Sequence, residues 1–325
     1  MEKRKLGNSD MEITIVGLGT WAIGGTGYNY SWGHQEDRDS IATIQAAVDA
    51  GINWIDTAPA YGLGHSEDVV GRAIKGMSRK PFVFTKLGKS WDAKGVLGDG
   101  LSGKTVRKET EDSLRRLNLE QIDLMQIHWP RPDSEVESAW SEMAKLVDEG
   151  KIRAIGVSNF NVAQLERICK IRVPASLQPP YAMLRRDAEA EILPWCRQHG
   201  VGVICYSPMY YGLLAEKFDS VRIQKMDADD WRRKLPELNN PLHFAYEKFF
   251  TALENVARHQ GMLPGQCAIA WVLANPAVTG AIVGARKPRQ ILEILNSNFV
   301  LDARAKRSLD DAIAEFEKSR TTGRE

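Results

Sequence analysis

Residues 39–87 read DSIATIQAAVDAGINWIDTAPAYGLGHSEDVVGRAIKGMSRKPFVFTKL and contain the unit that the rest of the chain repeats. Asp39–Ala50 carries apolar residues at helical spacing and stops at Gly51, a residue suited to the left-handed turn that closes a helix. A strand-length apolar run follows at Trp54–Thr57. Ser66-Glu-Asp then offers an N-cap and early acids for a second helix, Ser66–Lys75, and Phe82–Lys86 is the next strand.

The same alternation extends on both sides. Ile15–Gly19 is the expected strand before it; Ile122–His128, Ala154–Ser158, Ser176–Gln178, Val201–Ser207 and Thr279–Gly284 are those after it. Thr105–Leu117, Val136–Asp148, Val162–Ile171, Ala188–His199 and a longer region ending in Gln266–Ala274 carry helical patterns between them, and Pro288–Asn296 follows the last strand. Gly150 and Gly200 punctuate as Gly51 does. Strict strand–helix alternation implies a parallel sheet with helical crossovers, and a run of eight closes a barrel. The expected fold is therefore a (β/α)8 TIM barrel of class α/β, with residues 1–325 as a single domain. Arg4–Ile13 reads as a hairpin around Gly7–Asp10 that covers the barrel bottom, and Asp302–Phe316 as a final amphipathic helix. Gly212–Asn240 is long, charged and aromatic and fits none of the repeats.

Gly17-Leu-Gly19-Thr-Trp-Ala22 matches a dinucleotide fingerprint, with Asp37 or Asp39 about 20 residues on. That fingerprint needs a helix opening at the glycines. The Gly- and aromatic-rich run Ile23–Gly33 is a poor helix former, so the barrel reading is preferred.

Composition removes other classes. The 325 residues are 43% hydrophobic and 26% charged with a formal net charge of +1, which gives no electrostatic case for nucleic acid or an anionic membrane. The N-terminus lacks a signal-peptide core and no apolar stretch is long enough to span a bilayer. Cys169, Cys196, Cys205 and Cys267 are scattered, so reduced cysteines in a cytoplasmic protein are expected rather than a disulfide frame or a metal site.

In this fold the chemistry sits at the C-terminal ends of the strands. The second strand ends at Asp56, the third at Lys86 and the fourth at His128, and Tyr61 follows the second in a loop. Charges ending largely apolar strands are costly unless paired or hydrated. Singly, each has an ordinary structural explanation; jointly they form an acid/base device. An ammonium beside a tyrosine is expected to lower its pKa, a carboxylate to hold the ammonium, and a histidine to orient an oxygen. Such a set suits a carbonyl or alcohol oxygen.

Gly17-Leu-Gly-Thr, Asp56-Thr-Ala-Pro-Ala-Tyr61-Gly, Gly64-His-Ser-Glu67, Gly150-Lys-Ile-Arg-Ala-Ile-Gly-Val-Ser158-Asn159-Phe, Gln178-Pro-Pro-Tyr181 and Gly284-Ala-Arg286 together resemble the aldo-keto reductase superfamily over essentially the whole chain. Thr20-Trp-Ala-Ile-Gly-Gly and His128-Trp-Pro resemble its bacterial long-chain, general-stress-type members. The resemblance implies NADPH-dependent reduction of small aldehydes or ketones, sugar-derived ones included, with no metal. It puts the catalytic tetrad on Asp56, Tyr61, Lys86 and His128, with Tyr61 the acid. It puts the carboxamide pair on Ser158 and Asn159, the nicotinamide-facing glutamine on Gln178 and the ring-stacking aromatic on Tyr206. Ser207, Leu213 and Lys217 are the implied pyrophosphate contacts, Gly284, Arg286 and Gln290 those at the adenosine end, and Gly19, Thr20 and Trp21, at the first strand's end, are further cofactor contacts. The family often has Asn where this chain has Ile294, and Ile-Pro-Gly where it has Ile282-Val283-Gly284.

Hydride chemistry needs a carrier, because no side chain donates hydride. Arg286-Lys287-Pro288-Arg289 is a basic run suited to a 2′-phosphate, which favours NADPH. Trp21, Tyr28, Tyr30, Trp32, Trp91, Trp129 and Tyr210 lie in loops expected around the mouth, with Trp21, Trp32, Trp129 and His128 facing substrate and Asn29 or Arg131 adding polarity. Two other functions use the same tetrad: a sugar or alcohol dehydrogenase working oxidatively, and a non-catalytic cofactor-sensing subunit. A metal-dependent hydrolase lacks its ligands. Nothing in the sequence assigns an oligomeric state.

Overall fold

The computed structural model describes residues 1–26, 31–226, 230–239 and 242–322. The chain divides into two compact units. One holds Met1–Pro180, Asp187–Tyr206 and Ala277–Glu293; the other holds Tyr181–Arg186, Ser207–Pro276 and Ile294–Glu325.

The first unit opens with an antiparallel hairpin, β1 (Lys3–Lys5) and β2 (Glu12–Thr14). The barrel strands are β3 (Val16–Gly19), β4 (Trp54–Asp56), β5 (Phe82–Leu87), β8 (Ile122–Ile127), β9 (Ile152–Ser158), β10 (Ser176–Gln178), β11 (Gly202–Tyr206) and β12 (Gly280–Gly284). All eight pair in parallel, in chain order, and β12 closes on β3. The expected (β/α)8 barrel is present, with strand ends shifted by one or two residues. A second hairpin, β6 (Lys89–Trp91) with β7 (Leu97–Asp99), carries no sequence signal that the strand–helix reading used. The helices are α1 (Asp37–Asp49), α2 (His65–Ile74), α3 (Gly103–Leu117), α4 (Val136–Asp148), α5 (Val162–Cys169) and α6 (Ile192–His199).

Gly51, Gly150 and Gly200 have φ of +100°, +76° and +66°, the left-handed closures their positions implied. Ser66 does not cap α2 as expected. The helix starts earlier, from Gly64 at φ +96°, and Ser66 is buried, donating to Thr20 O and Thr20 Oγ1.

Inside the barrel, Leu6, Met11 and Ile13 from the N-terminal segment pack with Trp54, Phe84, Leu124 and Ile204 in one apolar cluster. Each such side chain stabilises the fold by about 1.5–3 kcal/mol when fully buried. Trp54 fills space that its neighbours leave open: a Cβ on Gly17 would lie 2.1 Å from its ring. Its indole N–H donates to Thr14 O at 2.7 Å. The hairpin thus seals one end of the barrel, and the opposite strand ends carry the polar residues.

The second unit contains α7 (Ser220–Gln224), α8 (Leu242–His259), α9 (Pro264–Leu273) and α11 (Ala303–Thr322), while α10 (Pro288–Leu295) crosses the division. The expected long helical region is two helices, separated at Gly261 with φ +66° and restarted by Pro264 at the first turn. Helices α8 and α11 pack together through Phe249 and Phe316, whose ring centroids are 5.9 Å apart. The segment that fits no repeat forms short turns, Trp231–Lys234 and Pro236–Leu238, beside α7.

One buried carboxyl outside the strand ends makes stability pH-dependent. Glu109 on α3 accepts the Gly88 N–H at 2.6 Å, just after β5, and its other oxygen has no hydrogen-bond partner. Burial pushes its pKa up to about 7, against the lowering effect of the Gly88 bond and of Arg116 and Lys108. The folded chain therefore binds this proton more tightly than the unfolded chain does. Its contribution is complete below the ordinary carboxylate range and is lost as pH rises through about 7. Glu109→Gln should flatten the fall in unfolding free energy between about pH 5 and 7.5 by about 2–3 kcal/mol, read by urea denaturation across pH. An unchanged slope would show that Glu109 titrates as an exposed carboxylate does.

Candidate active site

The ends of β4, β5, β8, β9 and β10 bring the expected residues together. Asp56 ends β4 and Lys86 stands near the end of β5; they are 2% and 0% exposed. Lys86 Nζ donates to Asp56 Oδ1 at 2.5 Å, to Thr57 O at 3.0 Å and to Tyr61 Oη at 3.2 Å. A charged ammonium has three N–H donors, and three acceptors surround it. Tyr61 is aimed here by the turn after β4, where its N–H donates to Ala58 O and its C=O accepts from Ser66 N. Gly62, at φ +68°, allows that turn to touch residue 24: a Cβ there would lie 2.0 Å from Gly24 O.

Because Tyr61 Oη accepts from Lys86, its own proton points elsewhere, and no protein acceptor for it exists among the described residues. The Tyr61 ring stands edge-on to His128, with centroids 5.9 Å apart and planes at 86°. His128 Nδ1 is buried without a hydrogen-bond partner. A neutral ring has one N–H, and placing it on Nδ1 would strand a buried donor. The favoured tautomer therefore carries the proton on Nε2. Burial, then the Lys86 and Lys89 charges, holds the ring well below the usual histidine range, so it is neutral near pH 7.

The tyrosine differs from expectation. Burial and the Asp56 carboxylate push its pKa well above the usual value, where an ammonium neighbour was expected to lower it. The Lys86 charge is paired with Asp56 at 2.5 Å, so it does not offset the burial of the phenol. Burial pulls Lys86 itself down, opposed by Asp56 and Glu67.

Ser158 and Asn159 adjoin this device. Ser158 Oγ donates to Gln178 O at 2.8 Å, and Asn159 Nδ2 donates to His128 O and Ser158 Oγ, both at 3.0 Å. Asn159 sits at φ +63°, and its Oδ1 accepts from Tyr206 Oη at 3.0 Å. Gln178 Nε2 donates to Asp56 Oδ2 at 2.8 Å. Trp21 stacks on Tyr61 at 6.4 Å and meets Trp32 edge-on at 5.4 Å. Trp129 stands next to His128 in sequence and carries the Arg131 guanidinium over its ring at 5.4 Å.

This arrangement can bind an oxygen with two donors, one of them an acid. Its comparison with known proteins is specific. The family model described as "Aldo/keto reductase family" matches residues 15–314. The chain belongs to the aldo/keto reductase family. It is 37% identical over 294 residues to the aldo-keto reductase YhdN of Bacillus subtilis (strain 168), covering 90% of this chain and 87% of that one. It is 34% identical over 340 residues to the NADH-specific methylglyoxal reductase of Escherichia coli (strain K12), covering 96% and 99%. The solved structure of a glycerol dehydrogenase from Gluconobacter oxydans superposes with a TM-score of 0.88 at 37% identity, covering 97% of this chain and 95% of that one. The chain is thus an oxidoreductase of a family that works on carbonyls and alcohols with nicotinamide cofactors.

The remaining implied residues are distributed as follows. Gly19 pairs with Asp56 and with Gly284 in the sheet, and a Cβ on it would strike Ile282 Cγ2 at 2.6 Å. Thr20 donates its N–H and hydroxyl to Asp56 O. Arg286 donates through Nε to Gln35 Oε1 at 2.9 Å and through Nη2 to His34 O. Gln290 accepts the Arg286 and Lys287 N–H groups, so it stiffens the turn into α10. Ser207, Leu213 and Lys217 lie in the second unit: Ser207 at φ +55°, Leu213 fully buried, Lys217 3.8 Å from Glu247. Tyr210, expected at the mouth, is buried and donates to Glu237. Tyr28, Asn29 and Tyr30 lie outside the described residues. No helix of the described residues is long and apolar enough to cross a membrane, and no group of three or more His, Cys, Asp or Glu among them could hold a metal ion.

Two features escaped the sequence reading. Gln126 is buried and donates to Asp56 Oδ2 at 3.3 Å. Its signal was available: Ile122, Leu124 and Gln126 share one face of β8 by the two-residue period, and Leu124 is core. The clasp of His34 and Gln35 on Arg286 joins residues some 250 apart and has no local signal.

Proposed function

We propose that this chain reduces small aldehydes or ketones to alcohols with NADPH, Tyr61 serving as general acid. The observation that carries the reading is that Tyr61, whose O–H has no protein acceptor among the described residues, stands 5.9 Å from the ring of His128, whose favoured tautomer offers a second N–H. A carbonyl oxygen accepts both. Bound nicotinamide supplies the hydride. As the carbonyl carbon takes the hydride, its oxygen takes the Tyr61 proton and leaves as an alcohol. Lys86 then stabilises the phenolate until solvent returns the proton, and Asp56 holds Lys86 in place.

The residues present fit the cofactor. Ser158, Asn159 and Gln178 form a hydrogen-bonded wall beside the acid, and Asn159 Oδ1 keeps a second lone pair for a carboxamide N–H. Tyr206 would flank the ring; Gly19, Thr20, Trp21, Ser207, Leu213, Lys217, Gly284 and Gln290 are the further contacts we assign. Trp21, Trp32 and Trp129 would enclose a small substrate, sugar-derived aldehydes included. The family match crosses both compact units, and we read residues 1–325 as one functional domain. Cys169, Cys196, Cys205 and Cys267 are unpaired, which suits a cytoplasmic setting.

Arg286 is the basis for preferring NADPH, since a guanidinium gives a 2′-phosphate a charge-assisted partner. The NADH-specific relative makes this the point to test. Arg286→Ala should weaken NADPH binding by about 10–100-fold, the range for a hydrogen bond to a charged group, and NADH hardly at all. Fluorescence titration with both cofactors measures it; equal weakening would mean that the arginine packs rather than reads phosphate. Turnover with NADPH across a panel of small aldehydes tests the activity itself, and cofactor binding without turnover would favour the sensing subunit. Oxidation of polyols is a second reading, favoured by the similar glycerol dehydrogenase, and the reverse assay with NADP⁺ distinguishes the preferred direction.

A further inference from the structure

Asp56, Gln126 and Gln178 stand on β4, β8 and β10, the second, fourth and sixth strands of the barrel. Alternate strands of such a barrel contribute side chains to the same interior layer. All three side chains are buried, at 2%, 0% and 2% exposure. Apolar residues normally fill these layers, so three polar ones are costly unless they satisfy each other. Here they do. Gln178 Nε2 donates to Asp56 Oδ2 at 2.8 Å and to Gln126 Oε1 at 3.3 Å, while Gln126 Nε2 donates to Asp56 Oδ2 at 3.3 Å. Room for Gln126 comes from Gly156 beside it on β9, where a Cβ would lie 3.4 Å from Gln126 Cγ and 2.4 Å from Ser176 Oγ.

We propose that Gln126 is a positioning residue of the reduction. Its amide binds the far oxygen of Asp56 and the amide of Gln178, and so sets both the ammonium–tyrosine pair and the glutamine beside it. The inference rests on the proposed reductase reading. It goes beyond the four acid/base residues because the side-chain hydrogen bonds of Gln126 go to Asp56 and Gln178 and not to Tyr61 or Lys86. Asp56 Oδ1 faces Lys86, and only Oδ2 is left to fix the rotation of the carboxylate. Both donors to Oδ2 are glutamines, so losing Gln126 removes one and loosens the other. It also leaves more of the Asp56 charge acting on Tyr61. The charged or titratable groups facing this cluster are Lys86, Tyr61, His128, Lys89 and Glu67. Lys86 is the register partner of Gln126 across β5 and β8, but the Gln126 amide hydrogen-bonds to Asp56 and Gln178, so it acts on the tyrosine through Asp56.

Gln126→Met keeps the volume and removes both hydrogen bonds. It should lower kcat for carbonyl reduction by about tenfold, the scale of one hydrogen bond to a charged group, with KM for the carbonyl changed little. The alkaline limb of the pH profile should move upward, because the less neutralised carboxylate holds the tyrosine proton harder. Gln126→Glu can donate to Asp56 only when protonated, so its activity should recover as pH falls, unlike that of Gln126→Met. An equal loss at every pH, or no loss, would overturn the positioning role. If Gln126→Met does not fold, the acid-side recovery of Gln126→Glu decides; if neither folds, Gln126 is a folding residue and the proposal fails. A native chain that turns over no carbonyl compound while binding cofactor would instead refute the reductase reading. Cofactor titration and the native rate therefore separate the two failures.

Discussion

Replacing Tyr61 by Phe should leave nicotinamide cofactor binding intact and cut carbonyl reduction by about 10²–10⁴-fold, the worth of a positioned general acid. The change removes one oxygen. Lys86 loses one of three acceptors and keeps Asp56 and Thr57 O, so the buried ion pair survives. The Trp21 stack at 6.4 Å and the edge contact with His128 are contacts of the ring, which Phe retains. What disappears is a proton held by a phenol whose pKa burial and Asp56 have raised. An acid works in its protonated form, so reduction by the native chain should stay flat through neutral pH and fall only beyond the ordinary tyrosine value of about 10. Single-turnover kinetics isolates the chemical step. A loss below about fivefold, with chemistry rate-limiting, would remove Tyr61 from the role of acid, given the 10²–10⁴ range.

The pKa direction marks where sequence reading ran out. That Asp56, Tyr61, Lys86 and His128 meet was legible because polar, titratable side chains are costly at strand ends and three adjacent strands carried one. The barrel was legible because Gly51, Gly150 and Gly200 punctuate a strict alternation. Its rival failed as expected: the residues after Gly19 form a short turn, Trp21–Ile23, and the next helix starts at Asp37. The balance of charge inside the site was not legible. Whether Lys86 favours a phenolate depends on its being 2.5 Å from Asp56 and 3.2 Å from Tyr61, and distances across strands are not written in spacing. Ser66 shows the same limit at shorter range. It has the chemistry of a cap, but the turn from Tyr61 begins the helix earlier and directs the hydroxyl to Thr20 instead. The described part of Gly212–Asn240 gave no periodicity because it forms the five-residue α7 and short turns rather than a repeat.

Lys86→Met should be the most damaging change to stability in the site, at about 3–5 kcal/mol, because it strands one half of a buried ion pair. Asp56 would remain 2% exposed with only the Gln126 and Gln178 amides on Oδ2 and nothing on Oδ1. Urea denaturation of the apo chain measures the loss. The double change Asp56→Asn with Lys86→Met should recover much of it, since the stranded charge is then gone. Additive losses would mean that the two side chains stabilise the fold independently. Activity should fall as well, because the phenolate left after proton transfer loses its only ammonium partner among the described residues. A rival role for a buried strand-end lysine is Schiff-base formation, which needs a neutral amine. Burial lowers the Lys86 pKa and so favours that form; Asp56 at 2.5 Å opposes it. The Asp56 contact weighs toward the ammonium. Two of the three groups around Nζ, Asp56 Oδ1 and Thr57 O, accept from it, and in the proposed mechanism the Tyr61 proton goes to the substrate. Beside the Asp56 carboxylate the ammonium is favoured, and an ammonium has no lone pair to attack a carbonyl. Borohydride added during turnover should therefore leave Lys86 unmodified by mass spectrometry. A trapped adduct on Lys86, growing as activity is lost, would replace the acid/base role with a covalent one.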